Sequence, residues 1–203
     1  VTALSTFIIS SLVECIDVTA LSTFIISSLV ECIDVKCSSV SPFIHVFCGF
    51  IIIYSGAKQQ GYVSTMLGRR RYLPDMHSKN SYQVAAAERQ AINTVIQGSA
   101  SELIKLAMIT VQHDINTFYM SNNTDISHQP CLIMQIHDEL IYEYSIDAPG
   151  GSEEEVVRAV QEFVTLLRHA MQVKIGSLFK LKVPLLVNVS TSDVSWGSMK
   201  KYT

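Results

Sequence analysis

The segment LIMQIHDELIYEY, Leu132 to Tyr144, sets three ionisable side chains, His137, Asp138 and Glu139, between two runs of strand-forming apolar residues. Adjacent carboxylates are hard oxygen donors of the kind a metal cation needs. Held inside an apolar ribbon, ionised carboxylates are costly unless paired or metal-bound. The least costly arrangement is a β-hairpin with the three groups at its turn, projecting from the end of a sheet. A tight turn favours Asn-Gly or Asp-Gly, and no glycine is present. A merely polar turn is the plain alternative. Three consecutive ionisable groups on a rigid hairpin are nevertheless what a cation site needs. Both arms are apolar at nearly every residue, so the hairpin is expected to be central and covered on both faces.

The elements around it read as a compact α+β unit. GYVSTMLGRRRYLP, Gly61–Pro74, predicts a hairpin: Tyr62, Val63 and Thr65 favour a strand, Gly68 supplies a turn, and Tyr72-Leu73 begin the return. A helical region follows through Ala85–Ala87. Gly98 is expected to break it, and Ser99-x-x-Glu102 to restart it as a capping box. Leu103, Ile104, Ala107, Met108, Val111, Ile115 and Phe118 form the apolar face of that second helix. SNNTDISHQP, 121–130, is a polar loop. Beyond the Leu132–Tyr144 hairpin, Gly150-Gly151 open a third helix capped by Ser152 with Glu155 three residues on. Val156, Val160, Phe163, Leu167, Ala170 and Met171 line its buried face. Leu181–Ser190 reads as a last strand with Pro184 near its start, and Trp196 as a packing anchor. The expected fold class is α+β: an antiparallel sheet with helices packed on one face. An irregular or helical apolar N-terminal segment precedes it.

That segment, residues 1–56, is a different object. VTALSTFIISSLVECID occupies 1–17 and recurs unchanged at 18–34. Solenoid repeats need three or more diverged units. Perfect identity suggests a recent duplication or a gene-model error, so 1–56 is not expected to be an evolved domain. Its apolar stretches are too short to span a bilayer, and no basic start marks a secretory signal. The missing initiator Met suggests a fragment.

Charge is unevenly distributed. Residues 57–106 carry seven Lys/Arg against three Asp/Glu; residues 107–157 carry nine acids and no Lys or Arg; residues 158–203 carry seven bases against two acids. Alternating solvated faces would explain this, as would a phosphate-binding surface beside a cation site. Five cysteines imply no disulfide framework and fit a reducing compartment. The spacing His128-x2-Cys131-x5-His137 is irregular and lacks a clear fourth ligand for zinc.

QIHDEL, together with GYVSTMLGRRRYLP and AAAERQAINTVIQGSASELIKLAM, resembles the C-terminal part, the palm, of a family A DNA polymerase. ERQAIN, VIQGSA and a terminal SWG are nearest in flavour to the eukaryotic theta and nu type. The resemblance covers residues 57–203. It implies a DNA-directed DNA polymerase acting in replication or repair on primer–template DNA and deoxynucleoside triphosphates, with Mg²⁺ as cofactor and the nucleus as its location. By resemblance, Asp138 holds the catalytic Mg²⁺ pair, Glu139 supports it, and His137 lies beside the primer end. Arg89, Asn93 and Gln97 stand where the family contacts template and primer, and Arg69, Arg70 and Arg71 where a basic turn nears the duplex. Without the resemblance, Arg89 reads as a surface ion pair with Glu88 or a neighbour, and Asn93 and Gln97 as helix-end hydrogen bonding.

The match is incomplete. Nothing resembles the family's upstream motif A aspartate strand or its finger helix; Phe50, Ile52, Ile53 and Tyr54 echo only the end of the latter. The chain by itself is therefore expected to be inactive. The alternatives are a non-catalytic DNA-binding remnant, a membrane-attached protein using the apolar start, and a hydrolase. The last lacks a nucleophile in a strained elbow.

Overall fold

The computed structural model describes residues 4–12, 42–122, 128–136, 139–147, 152–179 and 185–202. They fall into two compact units, residues 17–103 with 181–183, and residues 1–16, 104–180 and 184–203.

In the first unit, α1 (Pro42–Gln60) ends at Gly61, whose φ of 74° suits a residue without a Cβ. Gly61 donates its N–H to the Ala57 carbonyl, and its own carbonyl accepts from Leu73. Between those two bonds lies the expected hairpin, β2 (Tyr62–Ser64) and β3 (Arg70–Tyr72), paired from Tyr62↔Tyr72 to Ser64↔Arg70. The loop Met66–Gly68 closes through Gly68 at φ 83°, with the Thr65 N–H donating to the Arg69 carbonyl at 2.9 Å. This is the three-residue loop in which a left-handed last residue matches the strand twist. A 3-10 turn, Pro74–His77, buries Met76 and leads into α2.

α2 runs unbroken from Ser81 to Ser121, 41 residues. The expected interruption at Gly98 does not occur, and Ser99 and Glu102 form no capping box. Ser99 instead donates its hydroxyl to the Val95 carbonyl one turn back. Five of the seven apolar positions expected on the second helix are buried, and Met108 is half-buried. Leu103, Ile104, Ala107, Val111 and Ile115 are buried, while Phe118 is partly exposed.

The second unit is built on a five-stranded sheet in the order β4-β5-β1-β6-β7, antiparallel throughout. β1 (Leu4–Leu12) lies in its middle, paired along nine residues with β5 (Glu139–Asp147) and on its other side with β6 (Asn188–Ser192). Thr, Phe and Ile give that stretch strand propensity, so the expectation of an irregular or helical start is corrected there. The helical part of the expectation is met by α1. β4 (Cys131–Ile136) completes the second hairpin, with a register shift between Leu132 and Met134. Only one arm is central, however. β4 stands at the sheet edge with Ile133 and Met134 about half exposed, whereas β5 buries Leu140, Ile141, Tyr142, Tyr144 and Ile146.

Tyr142 and Tyr144 alternate onto one face of β5. There they meet Phe163 edge-on at 5.4 and 5.8 Å, and Tyr119 of α2 packs on Tyr144 at 6.0 Å. Phe163 belongs to α3 (Glu153–Arg168), so helices from two segments share that face, as the sequence predicts. Val156, Val160, Phe163, Leu167, Ala170 and Met171 are all buried. Ser152 is the N-cap residue, but its side chain makes no capping bond. Glu153–Glu155 set three carboxylates at the positive end of the helix dipole instead. A π-helical turn, His169–Lys174, joins α3 to the short α4 (Ile175–Leu178).

The last long strand begins later than expected. Residues 181–184 lie outside the described residues, Leu185–Val187 are not strand, and β6 starts at Asn188. β7 (Lys200–Lys201) pairs on its outer edge. Among the described residues, no helix is long and apolar enough to cross a membrane.

Candidate functional site

The first candidate group is the basic hairpin and the helix it packs on. Glu102 is 9% exposed and receives three donors from the hairpin. Thr65 donates its hydroxyl at 2.6 Å, Leu67 its backbone N–H at 3.2 Å, and Arg69 its Nε–H at 3.0 Å. One turn earlier on the same helix face, Ser99 accepts the Met66 N–H at 3.0 Å. The Thr65 hydroxyl in turn accepts the Arg69 N–H at 3.1 Å. Side chains three apart on a helix stand above one another. The Ser99-x-x-Glu102 spacing thus serves as a double receptor for the loop, rather than as a helix start.

Gly98 makes room for this contact. A Cβ there would lie 2.9 Å from the Thr65 methyl and 3.0 Å from an Arg69 terminal nitrogen. The sequence signal for a break was a real glycine requirement, but the requirement is close approach, not chain reversal.

Of the residues assigned to duplex contact, Arg69 is held by Glu102 with its side chain 57% exposed. Arg70 lies over the Tyr62 ring, 4.7 Å from its centre, and Arg71 is exposed on β3. Arg89, Asn93 and Gln97 are all exposed on α2. Their spacing of four aligns them along one face of a single continuous helix. The helix-end explanation for Asn93 and Gln97 is removed, since no helix end occurs there. Nor does Arg89 form an ion pair among the described residues. The fold therefore brings the hairpin tip against α2 beside Gln97 and leaves the polar face of α2 open.

The second candidate group is at the HDE tip. His137 and Asp138 lie outside the described residues. Glu139 opens β5, half-buried. The Trp196 indole N–H points at its Oε1 at 3.4 Å. Trp196 is 48% exposed, so it is not the packing anchor expected. It sits in a 3-10 turn, Trp196–Ser198, fixed by serines: Ser195 and Ser198 form a capping box, and the Ser192 and Ser198 hydroxyls lie 2.8 Å apart. The terminal SWG thus brings an indole N–H to Glu139.

The oxygen chemistry of this tip suits Mg²⁺. Among the described residues no three His, Cys, Asp or Glu side chains gather to hold a metal. The strand beside β5 is β1, LSTFIISSL, which carries no acid.

Behind the tip, three tyrosines titrate above the ordinary phenol range. Burial raises Tyr142 and Tyr119, the latter also through its hydrogen bond to Tyr144. Tyr144 is raised by burial too. The two hydroxyls of the Tyr119–Tyr144 pair are 3.1 Å apart. These groups stay neutral and structural at any physiological pH.

The geometry thus comprises an antiparallel sheet presenting a carboxylate at a hairpin tip, and a helix–hairpin pair exposing a basic and amide face. The family model for DNA polymerase family A matches residues 50–198, and the chain belongs to that family. DNA polymerase I of Mycobacterium leprae is 38% identical over 142 residues, 70% of this chain and 13% of that protein. DNA polymerase I of Bacillus caldotenax is 46% identical over 110 residues, 54% of this chain and 11% of that protein. Mouse DNA polymerase theta is 32% identical over 170 residues, 71% of this chain and 6% of that protein, which is compatible with the theta-like flavour of the motifs. The chain therefore spans only a small part of these relatives. In fold it matches the POL domain of Pol1 from M. smegmatis, solved in complex with DNA primer-template and dNTP. The TM-score is 0.62 at 23% identity, over 95% of this chain and 40% of that one.

Proposed function

We propose that the chain is the C-terminal, palm-forming part of a template-directed DNA polymerase, carrying half of a metal site and a large share of the duplex grip. The observation that carries this reading is the family match over residues 50–198, which contains all nine assigned site residues. In this reading Arg69–Arg71 and Arg89 neutralise phosphates, which fixes position without reading sequence. Asn93 and Gln97 offer amide donors to minor-groove acceptors, which every base pair presents. Asp138 and Glu139 contribute carboxylates, and His137 lies beside the primer end.

Nucleotidyl transfer demands charge stabilisation and in-line positioning more than covalent chemistry. A bound Mg²⁺ pair would supply that charge. The acid-free β1 beside β5 supports the further reading that this chain, alone, does not complete the cage and does not extend a primer. By the same resemblance the reading extends to the nucleus, with an organelle as the alternative location.

The test uses purified full-length chain, a labelled primer–template, deoxynucleoside triphosphates and Mg²⁺. Salt-sensitive duplex binding that weakens in Arg89→Ala and Gln97→Ala is expected, with no added nucleotides. Asp138-dependent extension would overturn the inactivity, and salt-insensitive or absent binding would overturn the duplex reading.

A further inference from the structure

The Glu102–Arg69 ion pair is asymmetric in its burial. A buried carboxylate is costly unless its charge is answered. Here it is answered by three donors: the Thr65 hydroxyl, the Leu67 N–H and the Arg69 Nε–H. Yet the cation of the pair is not buried with it. The Arg69 side chain is 57% exposed against 10% for that of Glu102. A guanidinium has five N–H donors in a rigid fork. Glu102 engages the one on Nε, and the terminal nitrogens carry no hydrogen bond among the described residues. One of them lies 3.0 Å from where a Cβ on Gly98 would be, so its place against α2 is set by the glycine. A planar fork held at its root, its terminal donors unbonded among the described residues, is prepared for an anionic oxygen pair.

We propose that Glu102 is a positioning residue for duplex binding: it ties the hairpin tip to α2 and holds the Arg69 guanidinium with its outer donors turned to a backbone phosphate. This rests on the duplex-binding reading above. It deepens that reading by making an acid, within a basic segment, a requirement for phosphate binding. Simple electrostatics predicts the opposite, since deleting a negative charge beside DNA should tighten binding.

The test measures anisotropy of a labelled primer–template with the full chain, between roughly 50 and 200 mM salt, comparing the slope of log affinity against log salt. Arg69→Ala should lower the slope by about one, the loss of one phosphate contact, or a roughly threefold change over that range. Glu102→Ala should lower it by the same amount although it makes the chain more positive. The double variant should be no worse than either single one, because both remove one coupled contact. Glu102→Gln keeps the size and one acceptor oxygen, so it serves where the alanine variant does not fold. It should still flatten the slope, whereas a loss of folded protein lowers the bound fraction without changing the slope.

Tighter binding by either Glu102 variant, or an unchanged slope in Arg69→Ala, would overturn the proposal while leaving the duplex reading intact. Absent or salt-insensitive binding by the unsubstituted chain would overturn the reading and the proposal with it.

Discussion

Replacing Gly98 by alanine sets two opposed effects against each other at one atom. In a helix interior, alanine is favoured over glycine by about 1 kcal/mol. Gly98 lies inside the 41-residue α2, so this gain applies. Against it, the new Cβ would stand 2.9 Å from the Thr65 methyl and 3.0 Å from an Arg69 terminal nitrogen. Of the two, the arginine end is the freer to give, by turning about its Nε contact with Glu102. The Thr65 methyl cannot give, because Thr65 is 5% exposed and its hydroxyl both donates to Glu102 and accepts from Arg69. Rotating the methyl away would break both bonds. Overpacking of this kind costs about 1–3 kcal/mol. The balance predicts a net loss of about 1 kcal/mol for Gly98→Ala.

Gly56, in α1 of the same unit, has nothing within 4 Å of its Cβ position, so Gly56→Ala should gain up to about 1 kcal/mol. In urea, with a slope near 2 kcal/mol/M, the two midpoints should move apart by about 1 M, Gly98→Ala downward and Gly56→Ala upward. Thr65→Ser removes the obstructing methyl and keeps the hydroxyl, so the double variant with Gly98→Ala should recover most of the loss. A Gly98→Ala protein as stable as the parent, or an absent rescue, would refute the argument from close approach.

Two further perturbations probe the second unit, and two more are the duplex-binding and salt-slope tests given above. Among the described residues the buried Tyr142 hydroxyl has no hydrogen-bond partner, so Tyr142→Phe should be neutral or stabilising by about 1 kcal/mol in thermal or urea unfolding. Burial raises the Tyr142 phenol, so the folded chain holds that proton more tightly than the unfolded one. Its contribution is complete below about pH 10 and is lost above it, so the variant should decline less steeply in alkali. Lys174 reaches Asp114 at 2.6 Å while remaining 45% exposed. Lys174→Ala should therefore cost no more than about 1 kcal/mol, and less still at high salt, by urea midpoints at two ionic strengths.

How much of this was legible in the sequence depends on what each residue was signalling. The β2–β3 hairpin was readable because Gly68 and its β-prone neighbours act locally. The buried face of α3 and of the π-helical turn that continues it was readable because six apolar residues repeat at helical spacing, and all six are buried. Gly98 misled because one residue type serves both helix ends and close contacts, and only the partner, Thr65, tells them apart. Ser99-x-x-Glu102 misled for a related reason, since its spacing suits a cap and a helix-face receptor equally. The length of the apolar repeat speaks only to a bilayer, while Thr, Phe and Ile in its first copy favour the strand β1. The exposure of β4 follows from its place at the sheet edge, which the alternation of one segment cannot reveal. Glu102 itself was visible as an acid amid bases, yet its partners lie more than thirty residues away.

β5 is hydrogen-bonded along both edges, to β4 on one side and to all nine residues of β1 on the other. A strand clamped in this way cannot slide. A shift of one position would throw Leu140, Tyr142 and Tyr144 out of their packing and turn every side chain to the opposite surface. Whatever adjustment the Glu139 carboxylate makes must come from swivelling about its own side-chain bonds, within reach of the Trp196 indole. The sheet acts as a fixed mount, and all of the aim resides in the last few rotatable bonds.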